Sequence, residues 1–308
     1  MRVIRDTETI RAQLAGCGKT AVALGAFDGL HIGHRAVVRA AAESGLTPVV
    51  FTFRDNPAEH LGGSCRYLTT MEERLRIFAA WGVEAVIMPD FADVADWPAE
   101  RFLNVLRFGL SAEAVACGAD FRFGKFAAGD AAWLARACAQ RGAALHVVDT
   151  VCYKGERISA TRIRGAIERG EMEDAAAMLG RPFGFEFEVV HGNRIGRTIG
   201  TPTINQHFPA HFILPRFGVY ASRVYIGGKA YCGVTNVGVK PPVGSDRALS
   251  ETWIPAFSGN LYGETLRLEL LAFIRDEKKF ASLDALKKEI RRNEKQARKI
   301  FAARRTEQ

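Results

Sequence analysis

Two histidines stand three residues apart inside a glycine-bearing segment, Gly25-Ala-Phe27-Asp28-Gly-Leu-His31-Ile-Gly33-His34. A short apolar run, Thr20 to Leu24, precedes it and reads as a buried strand; Arg35-Ala-Val-Val-Arg-Ala-Ala-Ala follows and reads as a helix. A strand, a glycine turn and a helix start together present backbone N–H groups to an anion. Histidines one helical turn apart can reach the same bound group. The chemistry this arrangement suits is phosphate handling, with the phosphate carried on a nucleotide.

Further segments carry compatible groups. Gly118-Ala-Asp120-Phe-Arg122-Phe-Gly124 follows a strand end, where open α/β sheets face their ligand crevice. In Ile158-Ser159-Ala-Thr161-Arg162-Ile-Arg164, two hydroxyls can cap a helix start while the arginines add charge-assisted bonds to a pyrophosphate. Phe51-Thr-Phe-Arg-Asp-Asn56-Pro57 closes the second strand of the first β-α-β unit. A second centre begins at His191-Gly192 and runs through Gly196-Arg197 and Gly200-Thr-Pro-Thr203-Ile-Asn205. Its glycines allow a loop to fold closely over phosphates, although the Gly-Lys-Ser/Thr ending of a Walker A loop is absent. The Thr203 hydroxyl and the Asn205 amide oxygen are hard ligands suited to Mg²⁺.

The elements that must position these groups change character along the chain. The first half alternates strands (47–53, 83–88, 112–117, 144–148) with helices (70–81, 99–108, 130–141), which predicts a parallel sheet with helices on both faces. Thr70 is the expected cap of its helix. From Gly184 the strands alternate and are separated by turns (184–190, 218–225, 229–236, 264–274), with Gly227-Gly228 as a two-residue hairpin signal. This half reads as an antiparallel barrel or sandwich, followed by a long helix capped by Ser282. Gly180-Arg-Pro breaks the intervening helix and places the boundary there, giving domains 1–180 and 181–308.

Bulk properties narrow the class. At 308 residues, two domains are expected. No apolar run approaches the roughly 20 residues of a membrane span, and the N-terminus has no signal-peptide pattern. Cys17, Cys65, Cys117, Cys138, Cys152 and Cys232 are scattered without a CxxC pair, which fits reduced thiols in a cytoplasm. The net charge of +8 owes much to the last helix, from Lys287 and Lys288 through Arg304 and Arg305. Because aromatics are not interleaved with those cations, a solvated face is expected rather than a nucleic-acid surface.

In this order, the first-half segments resemble the FMN adenylyltransferase module of prokaryotic bifunctional riboflavin kinase/FAD synthetases. The second half is similar to the riboflavin kinase module of the same family, through Gly200-x-Pro-Thr-x-Asn, Gly218-Val-Tyr, Asn236-Val-Gly, Glu251-Thr, Leu261-Tyr-Gly and Ile274-Arg-Asp-Glu277 with Phe280. The resemblance implies an α/β plus β architecture: a Rossmann-like nucleotidyltransferase domain, then an antiparallel β-barrel kinase domain with a long C-terminal helix. It implies that riboflavin is phosphorylated to FMN, and that FMN takes AMP from ATP to give FAD and pyrophosphate. Glu251 would be the base on the ribityl hydroxyl, Thr203 and Asn205 the Mg²⁺ ligands, and His31 and His34 the adenylyl-transfer histidines. Gly25, Phe27, Asp28, Gly33, Asn56, Asp120, Arg122, Ser159, Thr161, Arg162, Gly192, Gly196, Arg197 and Gly200 would contact nucleotide and phosphate.

The chain departs from the family pattern in places. Asn56-Pro57 stands where His-Pro is usual, and Ala160 where a second serine is usual; asparagine can donate a hydrogen bond but carries no charge. Thr201, Lys240-Pro-Pro-Val and Trp253 also differ, while Thr203, Asn205 and Glu251 are retained. Asn56 motivates an alternative, a riboflavin kinase with an impaired transferase domain. A further alternative is a non-catalytic flavin- or nucleotide-binding regulator; the retained base and histidine pair argue against it. Oligomeric state is open.

Overall fold

The computed structural model describes residues 1–60, 66–192, 201–239 and 248–304. The chain divides into two compact units, Met1–Ser159 and Ala160–Gln308.

In the first unit six parallel strands, β1 (Arg2–Ile4), β2 (Thr20–Leu24), β3 (Thr47–Phe51), β4 (Ala85–Ile87), β5 (Ala112–Gly118) and β6 (Ala144–Val148), lie in the order β1-β4-β3-β2-β5-β6. Every residue of β2 is buried, as expected for a central strand covered on both faces. The two faces differ in bulk. Ala21, Ala23, Ala114 and Ala116 point one way, with Val50 and Val86, and meet Val37, Val38 and Ala41 of α1 (Ile32–Ala42) and Phe78 of α2 (Met71–Ala80). Val22, Leu24, Phe51 and Val115 point the other way, against Phe102 and Leu103 of α3 (Ala99–Asn104) and Leu134 and Ala137 of α4 (Ala131–Gln140). The alanine face lets α1 approach the sheet closely and sets its first turn beside the carboxyl end of β2.

The expected Thr70 cap forms, its Oγ1 accepting from the Glu73 N–H at 3.2 Å, and Asp130, not expected as a cap, accepts at Oδ1 from the Trp133 N–H at 2.7 Å. Where a single helix was expected over 99–108, α3 ends at Asn104 and a wider π-helical turn runs from Val105 to Gly109. Strand β1 was not expected; three residues give too short a pattern to read.

The second unit opens with α5 (Ala160–Arg169) and α6 (Met172–Leu179), the latter ended by Gly180 in the left-handed conformation, φ 72°. Helix α6 packs against the first and last strands of the sheet that follows. That sheet comprises β7 (Phe183–Glu188), β8 (Thr203–His207), β9 (Gly218–Ile226), β10 (Lys229–Val239), β11 (Ala248–Trp253) and β12 (Thr265–Arg275). The strands are antiparallel in the order β7-β12-β9-β10-β11-β8. Gly227 and Gly228 both have positive φ, 54° and 76°, and close the β9–β10 hairpin. Strands β8 and β11 were not expected. Buried Asn205, Gln206, Ser250 and Thr252 remove the apolar alternation by which a strand is recognised.

The sheet curls until its edges meet. Val190, just past β7, bridges Asn205 of β8. The amide of Gln206, fully buried, donates from Nε2 to the carbonyls of Phe187 at 2.7 Å and Leu266 at 2.8 Å. These belong to paired residues of β7 and β12, so one side chain of β8 fastens the opposite edge. Phe185, Phe187, Phe208 and Phe212 pack in the interior with centroids 4.8–6.5 Å apart in four edge-to-face pairs. Outside, α7 (Leu283–Ala303) is capped by Ser282 and lays Ala297, Ile300 and Phe301 on Val219, Ala221, Val234 and Leu271. Arg291, Arg292, Lys295, Arg298 and Lys299 remain on its exposed side. Buried Arg223 pairs with Glu269 at 3.4 Å and donates to the Arg304 carbonyl at 3.1 Å, capping the end of α7.

Gln206→Leu would remove two buried hydrogen bonds, those to the Phe187 and Leu266 carbonyls. The expected loss is about 1–3 kcal/mol. In calorimetry, the transition of the second unit should fall by several degrees while that of the first stays in place.

Candidate functional site

The first candidate site is the turn between β2 and α1. Phe27 and Leu30 have left-handed backbones, φ 51° and 49°, in residues that ordinarily avoid them. Burial holds them there: Phe27 is fully buried, edge-on to Phe78 at 5.6 Å and to His34 at 5.3 Å. Gly29 takes φ 73°, and a Cβ there would stand 2.5 Å from Leu68. The turn is thereby forced to a shape that extended backbone could not give.

His31 is the N-cap of α1. Its Nδ1 accepts from the His34 N–H at 3.2 Å, so the neutral ring carries its proton on Nε2. The rings of His31 and His34 stack 3.6 Å apart at 15°. A Cβ on Gly33 would lie 3.1 Å from His31 Nδ1, so glycine leaves the room that ring requires. The sequence-identified pair thus stands together at a helix N-terminus, where the dipole and free N–H groups favour an anion.

The remaining candidates of this half fall in different settings. Asn56 donates from Nδ2 to Asp28 Oδ2 at 3.2 Å and accepts the Ala58 N–H at 3.0 Å, so its carboxamide joins the segment after β3 to the His31 turn. Asp120 is exposed and ion-paired with Arg157; Arg122 is exposed, 3.3 Å from Asp130. Ser159, half-buried, ends the first unit, while exposed Thr161 and half-buried Arg162 lie in the first turn of α5.

Sequence reading missed Arg74. It is buried in α2, with Nη1 on the Phe53 carbonyl at 3.1 Å and Nη2 on the Ala26 carbonyl at 3.3 Å and Thr52 Oγ1 at 3.0 Å. Burial presses its pKa downward, and the charges of Asp28 and Tyr67 act against that. The available signal was an arginine four residues before Phe78, on the core face of the helix.

The second candidate site is a cavity of about 700 Å³ in the second unit. Pairing sets its wall. Asn205 of β8 lies opposite Glu251 of β11, and Glu251 opposite Asn236 of β10. Cross-strand partners share a face, and Thr203, two residues from Asn205, shares it too. Thr203, Asn205, Asn236, Glu251, Trp253 and Tyr262 line the cavity. Asn205 is buried, and among the described residues its Oδ1 has no hydrogen-bond partner. Such an orphaned oxygen beside a threonine hydroxyl fits a hard divalent cation. Gly192 lies against it; a Cβ there would be 2.4 Å from Asn205 Nδ2. Gly196, Arg197 and Gly200 lie outside the described residues, as does the 240–243 segment.

The FAD synthetase family model matches residues 15–162 and the riboflavin kinase model residues 179–301. The bifunctional riboflavin kinase/FMN adenylyltransferase of Escherichia coli K12 is 36% identical over 311 residues, covering 98% of each chain. That of Listeria monocytogenes is 32% identical over 290 residues, covering 91% of this chain and 92% of its own. A solved structure described as a macrolide-efflux protein from Streptococcus pneumoniae superposes with a TM-score of 0.85 at 30% identity, covering 96% of this chain and 98% of that one. The chain belongs to the bifunctional riboflavin kinase/FMN adenylyltransferase family. No helix among the described residues is long and apolar enough to cross a membrane.

Gly192→Ala should push the Asn205 amide aside. Riboflavin phosphorylation should fall at least about tenfold, with adenylylation of supplied FMN unchanged in the same preparation. Equal loss of both activities would contradict the local account.

Proposed function

We propose that the second unit transfers the γ-phosphoryl group of ATP to the ribityl 5′-hydroxyl of riboflavin, and the first transfers AMP from a second ATP to the FMN formed. Membership of the bifunctional family and the match of both family models support the pair of activities. The observation that carries the kinase assignment is the cross-strand pair of Glu251 and Asn205 on one cavity wall. We assign the kinase reaction to residues 181–308 and the transferase reaction to residues 1–180, a boundary that lies within the second compact unit.

In the kinase reaction the alcohol must lose a proton as its oxygen attacks phosphorus. Glu251, half-buried at the cavity wall, is the acceptor. Thr203 and Asn205 would hold Mg²⁺, which neutralises phosphate charge when bound. Gly192 lies against Asn205 at the cavity and is assigned to the nucleotide phosphates, as are Gly196, Arg197 and Gly200 from the sequence pattern. The apolar wall of Val219, Val234, Ile254 and Leu261 suits a flavin ring.

In the adenylyl transfer a phosphate oxygen of FMN attacks the α-phosphorus of ATP, that P–O bond forms, and the bond to pyrophosphate breaks. Positioning and charge stabilisation supply the acceleration. His31 offers Nε2–H to the phosphates and His34 stacks on it to hold its plane. Gly25, Phe27, Asp28 and Gly33 shape the receiving turn. Asp120, Arg122 and Ser159 complete the nucleotide contacts in this reading, with Asp120 and Arg122 exchanging their surface ion pairs for ligand. Asn56 stands in for a histidine by holding Asp28 through a neutral donor, so that contact does not depend on ring protonation. The substrates ATP and riboflavin, and the reduced state of scattered cysteines, suit a cytoplasmic setting.

Purified protein with riboflavin, ATP and Mg²⁺ should yield FMN and then FAD, resolved by chromatography. FMN without FAD would remove the transferase assignment. Glu251→Gln should lower FMN formation by about 10²–10⁴-fold and leave FAD formation from FMN intact; His31→Ala should do the reverse. Full kinase activity in Glu251→Gln would remove the base.

A further inference from the structure

Arg74 presents an energetic puzzle. Its side chain is buried, 7% exposed for the residue, yet every hydrogen bond described for it ends on a neutral oxygen: Phe53 O, Ala26 O and Thr52 Oγ1. Its Nε–H has no partner among the described residues. Burying a guanidinium without a hydrogen-bonded carboxylate is unfavourable, and a methionine or leucine would fill the same space without that desolvation. Asp28 is close enough to act on it electrostatically, but Asp28 spends a carboxylate oxygen on Asn56.

The position of the charge accounts for its retention. A trans peptide holds its C=O and N–H in opposite directions. Because Arg74 draws the Ala26 carbonyl toward α2, the N–H of the same peptide, that of Phe27, is aimed away from α2. Thr52 Oγ1 donates to the same carbonyl at 2.9 Å, so two donors fix one peptide plane. The other Nη group holds Phe53, at the start of the segment that carries Asn56. One cation therefore joins the two loops that flank His31.

We propose that Arg74 is a positioning residue for adenylyl transfer: from α2 it fixes the Ala26–Phe27 peptide and supplies fixed positive charge to the anion that the Gly25–His34 turn receives. This rests on the transferase reading above. The ligand class is a polyphosphate, and the leaving pyrophosphate is the accessible probe. In a site shielded from water, charge at one remove from the ligand still contributes.

The test measures FAD formation from FMN and ATP, together with the inhibition constant of inorganic pyrophosphate, in wild type, Arg74→Lys and Arg74→Met. Riboflavin phosphorylation by the same chains is the internal control. Arg74→Met should raise the pyrophosphate inhibition constant at least about tenfold and lower kcat/KM for FAD formation about 100-fold. Arg74→Lys, which keeps charge but cannot span three oxygens, should hold the inhibition constant within about threefold of wild type while kcat falls about tenfold. An unchanged inhibition constant in Arg74→Met would overturn the proposal, whatever its effect on thermal stability. Should Arg74→Met fail to fold, a tenfold-raised inhibition constant in Arg74→Lys would overturn it as well. Wild-type protein that makes no FAD would instead remove the transferase reading itself.

Discussion

The amide of Gln206 holds the second unit in register. Among the described residues, strands β7 and β8 meet at the seam of the curled sheet with a single backbone bridge, Val190 to Asn205. Nothing in one bridge prevents β8 from sliding by a residue. Gln206 prevents it, because only in this register can one carboxamide reach both Phe187 O and Leu266 O from the interior. A slip of one residue would turn Gln206 outward and Asn205 inward. The row of Asn205, Glu251 and Asn236 is aligned by the β8–β11 and β10–β11 ladders, and the seated amide ties that wall to β7 and β12.

The first unit reaches the same end by another route. There the site is made from backbone rather than from strand register. Left-handed Phe27 and Leu30 store local strain, and the burial of Phe27 against Phe78 and His34 compensates it. Small residues on one sheet face let α1 sit close enough to bring its first turn to that strained turn. Strain, close packing and the His31 cap support one another, so the two imidazoles are stacked before any ligand arrives.

How much of this was legible in the sequence followed from how polar the interior is. The parallel unit was readable because β2, β3 and β5 are nearly unbroken apolar runs, and the His31–His34 pair because it stood at the end of one. The antiparallel unit was readable where its strands alternate, as in Phe183-Gly-Phe-Glu-Phe-Glu. It became opaque at β8 and β11, where Asn205, Gln206, Ser250 and Thr252 are buried polar residues and imitate a loop. Arg74 was opaque for the opposite reason: in a helix with Glu72, Glu73 and Arg76 around it, an arginine reads as one more solvated charge. Its spacing of four from Phe78 hints at the core face, but only the folded chain shows that it is buried.

The His31 cap carries a further consequence, one of proton inventory. While Nδ1 accepts the His34 N–H, that ring is a donor through Nε2 and has no lone pair to offer an incoming nucleophile. The first unit can work under that restriction because a phosphate monoester, with its second pKa near about 6, arrives already able to attack. The ribityl alcohol handled by the second unit has no such readiness, and there a carboxylate, Glu251, lines the wall. In the proposed assignment, the placement of proton acceptors along this chain follows the acidity of the two nucleophiles.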